Sequence, residues 1–255
     1  MAKGTYPQTA PTYGTYQWLQ LRVGLFLRDD LETNANYEQW DAYQLGIVDE
    51  IIQSGVRDFY FPTLAPGQKR PHVWSFLKQA GSFTLGTAVD VEELPADFGG
   101  MIGDITWEDA DAERSIKLVS EAELRSSSAM EDTDGAPKYA AIRAKHDAIP
   151  TAAQTYEVKL FPKPAAGQNL QVLLYRYTSI PPLLSTTNLY PNGVAGHAET
   201  ISASCLACAE LMYKGVEGPM SQMYQSRLQA SVMLDSTFLD PSNDDLRSMF
   251  DAPQS

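Results

Sequence analysis

The chain has 255 residues, 44% of them hydrophobic and 20% charged, with a formal net charge of −13. That is enough apolar chain for one large or two small domains with a real core, and it excludes wholesale disorder. Thirty-two acids against nineteen Lys and Arg exclude a protein that wraps nucleic acid by neutralising phosphates. No apolar run approaches ~20 residues, so no membrane-spanning helix is expected. Residues 1–7 have no apolar stretch behind Lys3 and do not read as a secretory signal. Two cysteines make no disulfide framework, which points to folding in a reducing cytoplasm.

In chain order, residues 1–14 carry Gly4, Pro7, Pro11 and Gly14 among Thr and Tyr and read as an extended arm. Tyr6, Tyr13 and Tyr16 cluster there, and Tyr is a rigid interface anchor, so these three are candidate contacts to a neighbouring subunit. A first helix is predicted from Thr15, with Trp18, Leu21 and Leu25 as its apolar stripe. A second is predicted over 37–59, with Trp40, Tyr43, Ile47 and Ile51 in line and Val48 and Ile52 beside them. Pro62 and Pro66-Gly67 end it.

From Val73 to Ile180 the texture becomes short strands and turns. Val73 to Leu77 and Ser82 to Leu85 flank Gly81, while Tyr156, Val158 and Leu160 alternate with Glu157 and Lys159. A second β-rich run spans 170–177, and Pro162 to Gly167 between the two predicts a hairpin with a stiff loop. Helices resume near Gly196. Ile201, Cys205, Cys208 and Met212 recur at helical spacing among Ala203, Ala207 and Ala209, predicting a buried central helix that other helices approach closely. Gly215 and Gly218-Pro219 break it, and a last helix is expected over 221–234.

The fold class that follows is α+β: a helical bundle from the N- and C-terminal helices with an inserted antiparallel β-subdomain. Its parts are an arm (1–14), a first helical wall (15–62), a β-rich insert (63–195), a second helical wall (196–234) and a C-terminal arm (235–255). That last arm is acidic but keeps Phe238, Leu239, Leu246, Met249 and Phe250, the composition of a segment that orders on a partner.

Charge is uneven. Residues 90–134 hold fourteen acids against Arg114, Lys117 and Arg125. Glu92, Glu93, Asp97, Asp104, Glu108, Asp109 and Asp111 lead this run, which reads as a solvated surface or as a wall that repels a passing polyanion. Catalytic patterns are weak. Cys205-Leu206-Ala207-Cys208 is a C-x-x-C without a second ligand pair, and His72, His146 and His197 are scattered, so no metal or other cofactor is expected. The carboxylate pairs lie among like charges, with little to raise one pKa for acid–base work. Ser126 to Ser128 lack elbow glycines, and no Lys-Ser/Thr follows Gly99 to Gly103. The residues do not read as an enzyme.

The order of several phrases nevertheless resembles a family. Phe59-Tyr60-Phe61-Pro62 is followed by His72-Val73-Trp74-Ser75-Phe76-Leu77, Glu93-Leu94-Pro95-Ala96-Asp97-Phe98, Gly135-Ala136-Pro137-Lys138-Tyr139-Ala140 and Leu160-Phe161-Pro162-Lys163-Pro164. The run Leu173 to Tyr177 then leads to Ile180-Pro181-Pro182-Leu183 and an Ala-rich helix. Across about residues 15–235 this is similar to the head-to-tail adaptor (connector) proteins of tailed bacteriophages. The resemblance implies a structural virion protein made in the host cytoplasm and placed in the neck between capsid and tail. It implies a ring, of about twelve copies, that joins the portal protein to a tail or nozzle protein. Genomic DNA would pass through its channel during ejection without sequence-specific binding. The portal contact then falls to Phe238, Leu239, Leu246, Met249 and Phe250. The alternatives are a tail-tube or nozzle ring protein, expected to be richer in strands, and a phage carbohydrate-binding module, which needs aromatics on one exposed strand face.

Overall fold

The structure, a computed structural model, describes residues 11–28, 40–63, 71–86, 89–108, 115–130, 134–145, 154–165 and 171–237. Five helices are described: α1 (Tyr16–Phe26), α2 (Ala42–Tyr60), α3 (Glu121–Met130), α4 (Val194–Lys214) and α5 (Pro219–Ser236). Nine short strands accompany them: β1 (Lys78–Thr84), β2 (Val91–Glu93), β3 (Phe98–Trp107), β4 (Lys117–Leu118), β5 (Asp134–Gly135), β6 (Tyr139–Ala144), β7 (Tyr156–Phe161), β8 (Lys163–Pro164) and β9 (Val172–Ser179). The chain is an α+β protein of two compact units. Residues 77–180 form one, inserted into the other, which both chain ends build (1–76 and 181–255).

In the helical unit α4 packs against α1, α2 and α5. Thr15 caps α1 by accepting the Trp18 amide. The face that α1 buries is Tyr16, Leu19, Gln20, Val23 and Gly24, whereas Leu25 is exposed and Trp18 and Leu21 are half-buried. The expected stripe was therefore rotated from the true one. This helix is apolar nearly all round, so periodicity alone does not choose a face. Gly24 matters to the choice: a Cβ there would stand 1.7 Å from the Trp40 ring, so only glycine lets that indole seat.

Helix α2 starts at Ala42 rather than Tyr37. Asp41 accepts the Gln44 amide at 2.8 Å and the Gln44 side chain accepts the Asp41 amide at 3.0 Å, a reciprocal cap that fixes the first turn. The buried stripe is Val48, Ile51, Ile52, Gly55, Val56, Phe59 and Tyr60, and Tyr43 is 74% exposed, against expectation. Where α2 crosses α4, a Cβ on Gly55 would lie 2.5 Å from Cys205 Cα, and Ser204 Oγ donates to the Gly55 carbonyl at 2.7 Å. The small residues of α4 thus do bring the backbones together. Met212, expected in the buried stripe, is exposed because it lies in the last turn of α4, beyond that crossing. Ahead of α4, Gly193 has φ +75°, and a Cβ there would strike the Phe76 ring at 2.5 Å, so the turn requires glycine twice over.

The inserted unit holds two sheets around one core. One sheet runs β1-β9-β3, the other β2-β7-β6-β4, and β5 pairs with β8. Pairing is antiparallel except for β4 beside β6 and β5 beside β8. Leu94, Phe98, Ile105, Ile116, Val158, Leu160, Leu173, Tyr175 and Tyr177 bring both sheets into one buried cluster. Phe98 plugs that core as its sequence position suggests, whereas Gly135, expected in a turn, is a strand residue of β5 paired with Pro164, and the chain bends only at Ala136 before β6.

The expected hairpin of residues 156–177 does not form. Strand β7 pairs with β2 and β6, while β9 lies between β1 and β3 in the other sheet. Both strands are apolar on the core side, so each satisfies a different sheet of the same sandwich, and β8 in the connection pairs with β5 instead. Residues 75–77 form a 3₁₀ turn rather than a strand. Helix α3, not foreseen, packs Leu124 against Ala141 and Phe161. The register of β3 against β9 shifts between Ile102 and Thr106, where Gly103 takes φ +71°.

Candidate assembly surfaces

The polar groups that organise the helical unit converge on the end of α5. Asp235, in its last turn, is buried. It accepts from Ser75 N at 2.9 Å and Ser75 Oγ at 2.5 Å, and it lies 2.9 Å from His72 Nε2. Burial pushes its carboxyl up, but the hydrogen bonds from His72 and Ser75 outweigh burial and hold it below its ordinary value. The segment that carries these partners is anchored in turn. Trp74, fully buried, donates Nε1–H to the Phe59 carbonyl at 2.8 Å and lies 4.5 Å from the Phe59 ring. Phe76 and His197 complete the aromatic cluster. Burial lowers the His197 pKa, and its Nδ1 has no hydrogen-bond partner among the described residues. Residue 238 therefore follows a helix whose end is fixed in place. Phe238, Leu239, Leu246, Met249 and Phe250 lie outside the described residues, as does Tyr6.

On α1, Tyr16 is buried and donates its hydroxyl to Asp49 at 2.5 Å. Tyr13 is 57% exposed. Its ring lies tilted against Trp18 with centroids 4.8 Å apart, and its hydroxyl donates to Glu199 at 3.4 Å. Glu199 also pairs with Arg22 at 3.0 Å and Arg227 at 3.3 Å, joining α1, α4 and α5. The return segment is tied down as well: Gln53 exchanges two hydrogen bonds with the Leu184 backbone, and the Tyr60 hydroxyl accepts the Asn192 amide. One polar device left no sequence signal. Glu210, buried in α4, accepts the amides of Gly218, Met220 and Ser221 and so caps α5 from a neighbouring helix.

Large apolar side chains remain at the surface of this unit. Leu183 is 73% exposed, Met233 64% and Val216 60%, with Leu211, Met212 and Tyr190 also open. Leu211, Met212 and Tyr213 occupy consecutive positions before Lys214, all exposed. Helical periodicity cannot find such residues, because it assigns apolar positions to a core. The apolar Leu183 directly after Pro181-Pro182 was the available hint.

The acidic candidates lie in the inserted unit and differ from one another. Asp97 accepts from Ser179 Oγ at 2.8 Å and Tyr177 OH at 3.3 Å, so it braces the turn before β3. Glu93 pairs with Lys145, Asp90 with Lys159 at 3.8 Å, and Glu157 with Arg143 at 2.5 Å. Cross-strand bases from outside residues 90–134 thus neutralise part of what looked like unrelieved charge. Glu92 is half-buried, and burial raises its pKa. Asp104 and Glu108 are exposed with no ion-pair partner among the described residues. Asp109 and Asp111 lie outside the described residues.

Chemistry is sparse. A cleft of about 390 Å³ opens between α4, α5 and the end of α2, lined in part by Asp58, Phe61, Cys208, Leu211, Glu217 and Tyr224. Burial, and then the Asp58 and Glu50 charges, push the Cys208 thiol up to about 11, so it stays protonated at neutral pH and is a poor nucleophile. Cys205 is fully buried and raised further. Among the described residues no group of three His, Cys, Asp or Glu is placed to hold a metal, and no helix is long and apolar enough to cross a membrane. In the inserted unit Phe98, Tyr156, Tyr175 and Tyr177 pack on one another and Trp107 lies against the same core, whereas Tyr139 is exposed.

A comparison with curated proteins gave no match. A family model, that of the SU10 adaptor protein, matches residues 14–246, which takes in both compact units. The chain therefore belongs to the SU10 adaptor protein family, and it is a phage adaptor, a structural protein of the virion.

Proposed function

We propose that this adaptor is the subunit of a ring of about twelve copies that joins the portal to the tail and leaves a central channel for DNA. The observation that carries the reading is the set of large apolar side chains that the helical unit leaves open, Leu183, Val216 and Met233 above all, which contacts with neighbouring subunits would cover. Ring contacts are head to tail, so one such surface meets a different one on the neighbour. Tyr13, rigid, exposed and braced by Trp18, suits that contact; Tyr16 fixes the start of the helix behind it, and Tyr6 extends the arm.

The portal contact falls to the segment beyond the pinned Asp235, with Phe238, Leu239, Leu246, Met249 and Phe250 as anchors. Asp104 and Glu108, together with Glu92, Glu93, Asp97, Asp109 and Asp111, form an acidic surface past which DNA slides without sticking. The test is light scattering on the adaptor alone and with its portal. A ~28 kDa monomer that adds a dodecamer-sized mass to the portal is expected. A stable ring without portal favours a nozzle or tube, and a monomer indifferent to the portal overturns the reading. Ending the chain after Asp235 keeps the buried pin, so the truncated protein should fold and yet fail to dock.

A further inference from the structure

The sheet edges of the inserted unit are not equally protected. Strand β2 has three residues, two of them Glu92 and Glu93. Strand β4 has two residues. The long edge strand β3 is broken by register shifts, carries Asp104, and is bridged at Ile105 to Ile116 with amide bonds in both directions. Short length, charge and bulges are the usual guards against another strand adding on.

Strand β1 carries a single charge, Lys78 at its start, and lacks the other guards. Its seven residues pair with β9 in unbroken register from Lys78 opposite Thr178 to Thr84 opposite Val172. It contains no acid and no proline, and Ala80, Ser82 and Thr84 are exposed. Those side chains are mostly small, so another backbone can come close. Gly81 sits against the Tyr175 ring, where a Cβ would fall 2.4 Å from Cζ, so the core holds this strand flat against β9. In an antiparallel edge strand every second residue turns its N–H and C=O away from its partner, and no described strand takes them up on this side. The local charge is also unusual. In a chain of net −13, β1 and β9 together carry Lys78 and Arg176 and no Asp or Glu, and neither base has an ion-pair partner among the described residues.

We propose that the free edge of β1 is a docking site for an extended, acidic segment of another protein, which adds to the β1-β9-β3 sheet as a fourth, outer strand. Backbone hydrogen bonds to alternate residues of β1 supply the affinity, and Lys78 and Arg176 select acidic side chains on the incoming strand. The site stands on the edge itself and is independent of the ring reading.

The experiment uses the full chain and two synthetic ten-residue probes, one alternating Thr and Glu, the other Thr and Lys. Amide hydrogen exchange is followed across residues 78–84. The acidic probe should slow exchange at alternate β1 amides at least tenfold and leave β2 and β3 unchanged, while the basic probe does nothing. Arg176→Glu, shown by circular dichroism to be folded, should reverse that preference. Exchange unaffected by the acidic probe, or slowed equally by both, overturns the proposal. Slowing that grows with the chain's own concentration, without a probe, also overturns it, because the edge then pairs with a second copy.

Discussion

The two units treat polar groups in opposite ways. The helical unit takes them inside: Asp235 with His72 and Ser75, Glu210 against the start of α5, Thr200 with Ser231, Ser204 with the Gly55 carbonyl. It leaves large apolar side chains outside. The inserted unit has an apolar and aromatic core and keeps its ion pairs near the surface, with Val89, Tyr139, Leu174 and Ile180 as its exposed apolar side chains. Buried hydrogen-bonded pairs fix geometry more than they add stability. The difference teaches that the helical unit uses buried polar groups to hold its helix ends in place, whereas the inserted unit is held by its apolar core.

The largest expected effect breaks the helical side alone. Trp74→Ala removes the ring at the centre of the aromatic cluster and should cost about 3–5 kcal/mol. Calorimetry should show that loss in the helical transition; an equal drop in the inserted unit's transition would mean that the two do not behave separately. Next is Asp235→Ala, which strands His72 and both Ser75 donors and should cost about 3 kcal/mol or more. Its added mark is loss of amide protection in the last turns of α5, read by hydrogen exchange. Gly55→Ala should follow at about 1–3 kcal/mol, because the Cβ meets Cys205 backbone that only a helix shift can move; chemical denaturation measures it.

Acid should sharpen the contrast. Burial keeps His197 neutral in the folded chain, so the unfolded chain takes up that proton first as pH falls below 6.5. Asp235 is held below 3.8, so there too the unfolded chain binds the proton first. Both make the helical unit lose stability with falling pH, His197 from 6.5 downward and Asp235 as pH drops through its lowered value. Asp58, raised by burial against the opposing Arg57 charge, works the other way, but from the surface. In the inserted unit Glu92 is raised by burial, so the folded chain binds that proton first and acidification from above 4.5 relieves it. Residue-resolved hydrogen exchange between pH 7 and pH 4.5 should show protection falling in α4 and α5 and holding in β7 and β9. Parallel loss in both units would remove the contrast. The smallest effect is Glu93→Gln, which breaks an exposed pair with Lys145 and should change the unfolding free energy by less than about 0.5 kcal/mol.

Local chemistry was legible in the sequence. Thr15 as the start of α1, Gly215 and Gly218-Pro219 as the break between α4 and α5, and Phe98 as a core plug all depend on a residue and its near neighbours. The ordered phrases were also legible, and they carried the family. Faces and partners were not. The rotated face of α1 depends on Trp40 sitting over Gly24, and the start of α2 on which of several polar residues forms the reciprocal cap. The sheet that receives β9 depends on β1 and β3, which are distant in sequence. Lys145 and Lys159 relieve acids about fifty to seventy residues earlier, so a charge count over a window overstated the acidic surface. Glu210 has no sequence signature because its three amide partners belong to the next helix. By itself the sequence determined the class of fold, the breaks between elements and the kind of protein, because propensity and turn chemistry act over a few residues. Only the tertiary structure decided which face is buried, which strand pairs with which, and which apolar residues stay open, because those are settled by close packing between segments far apart in the chain.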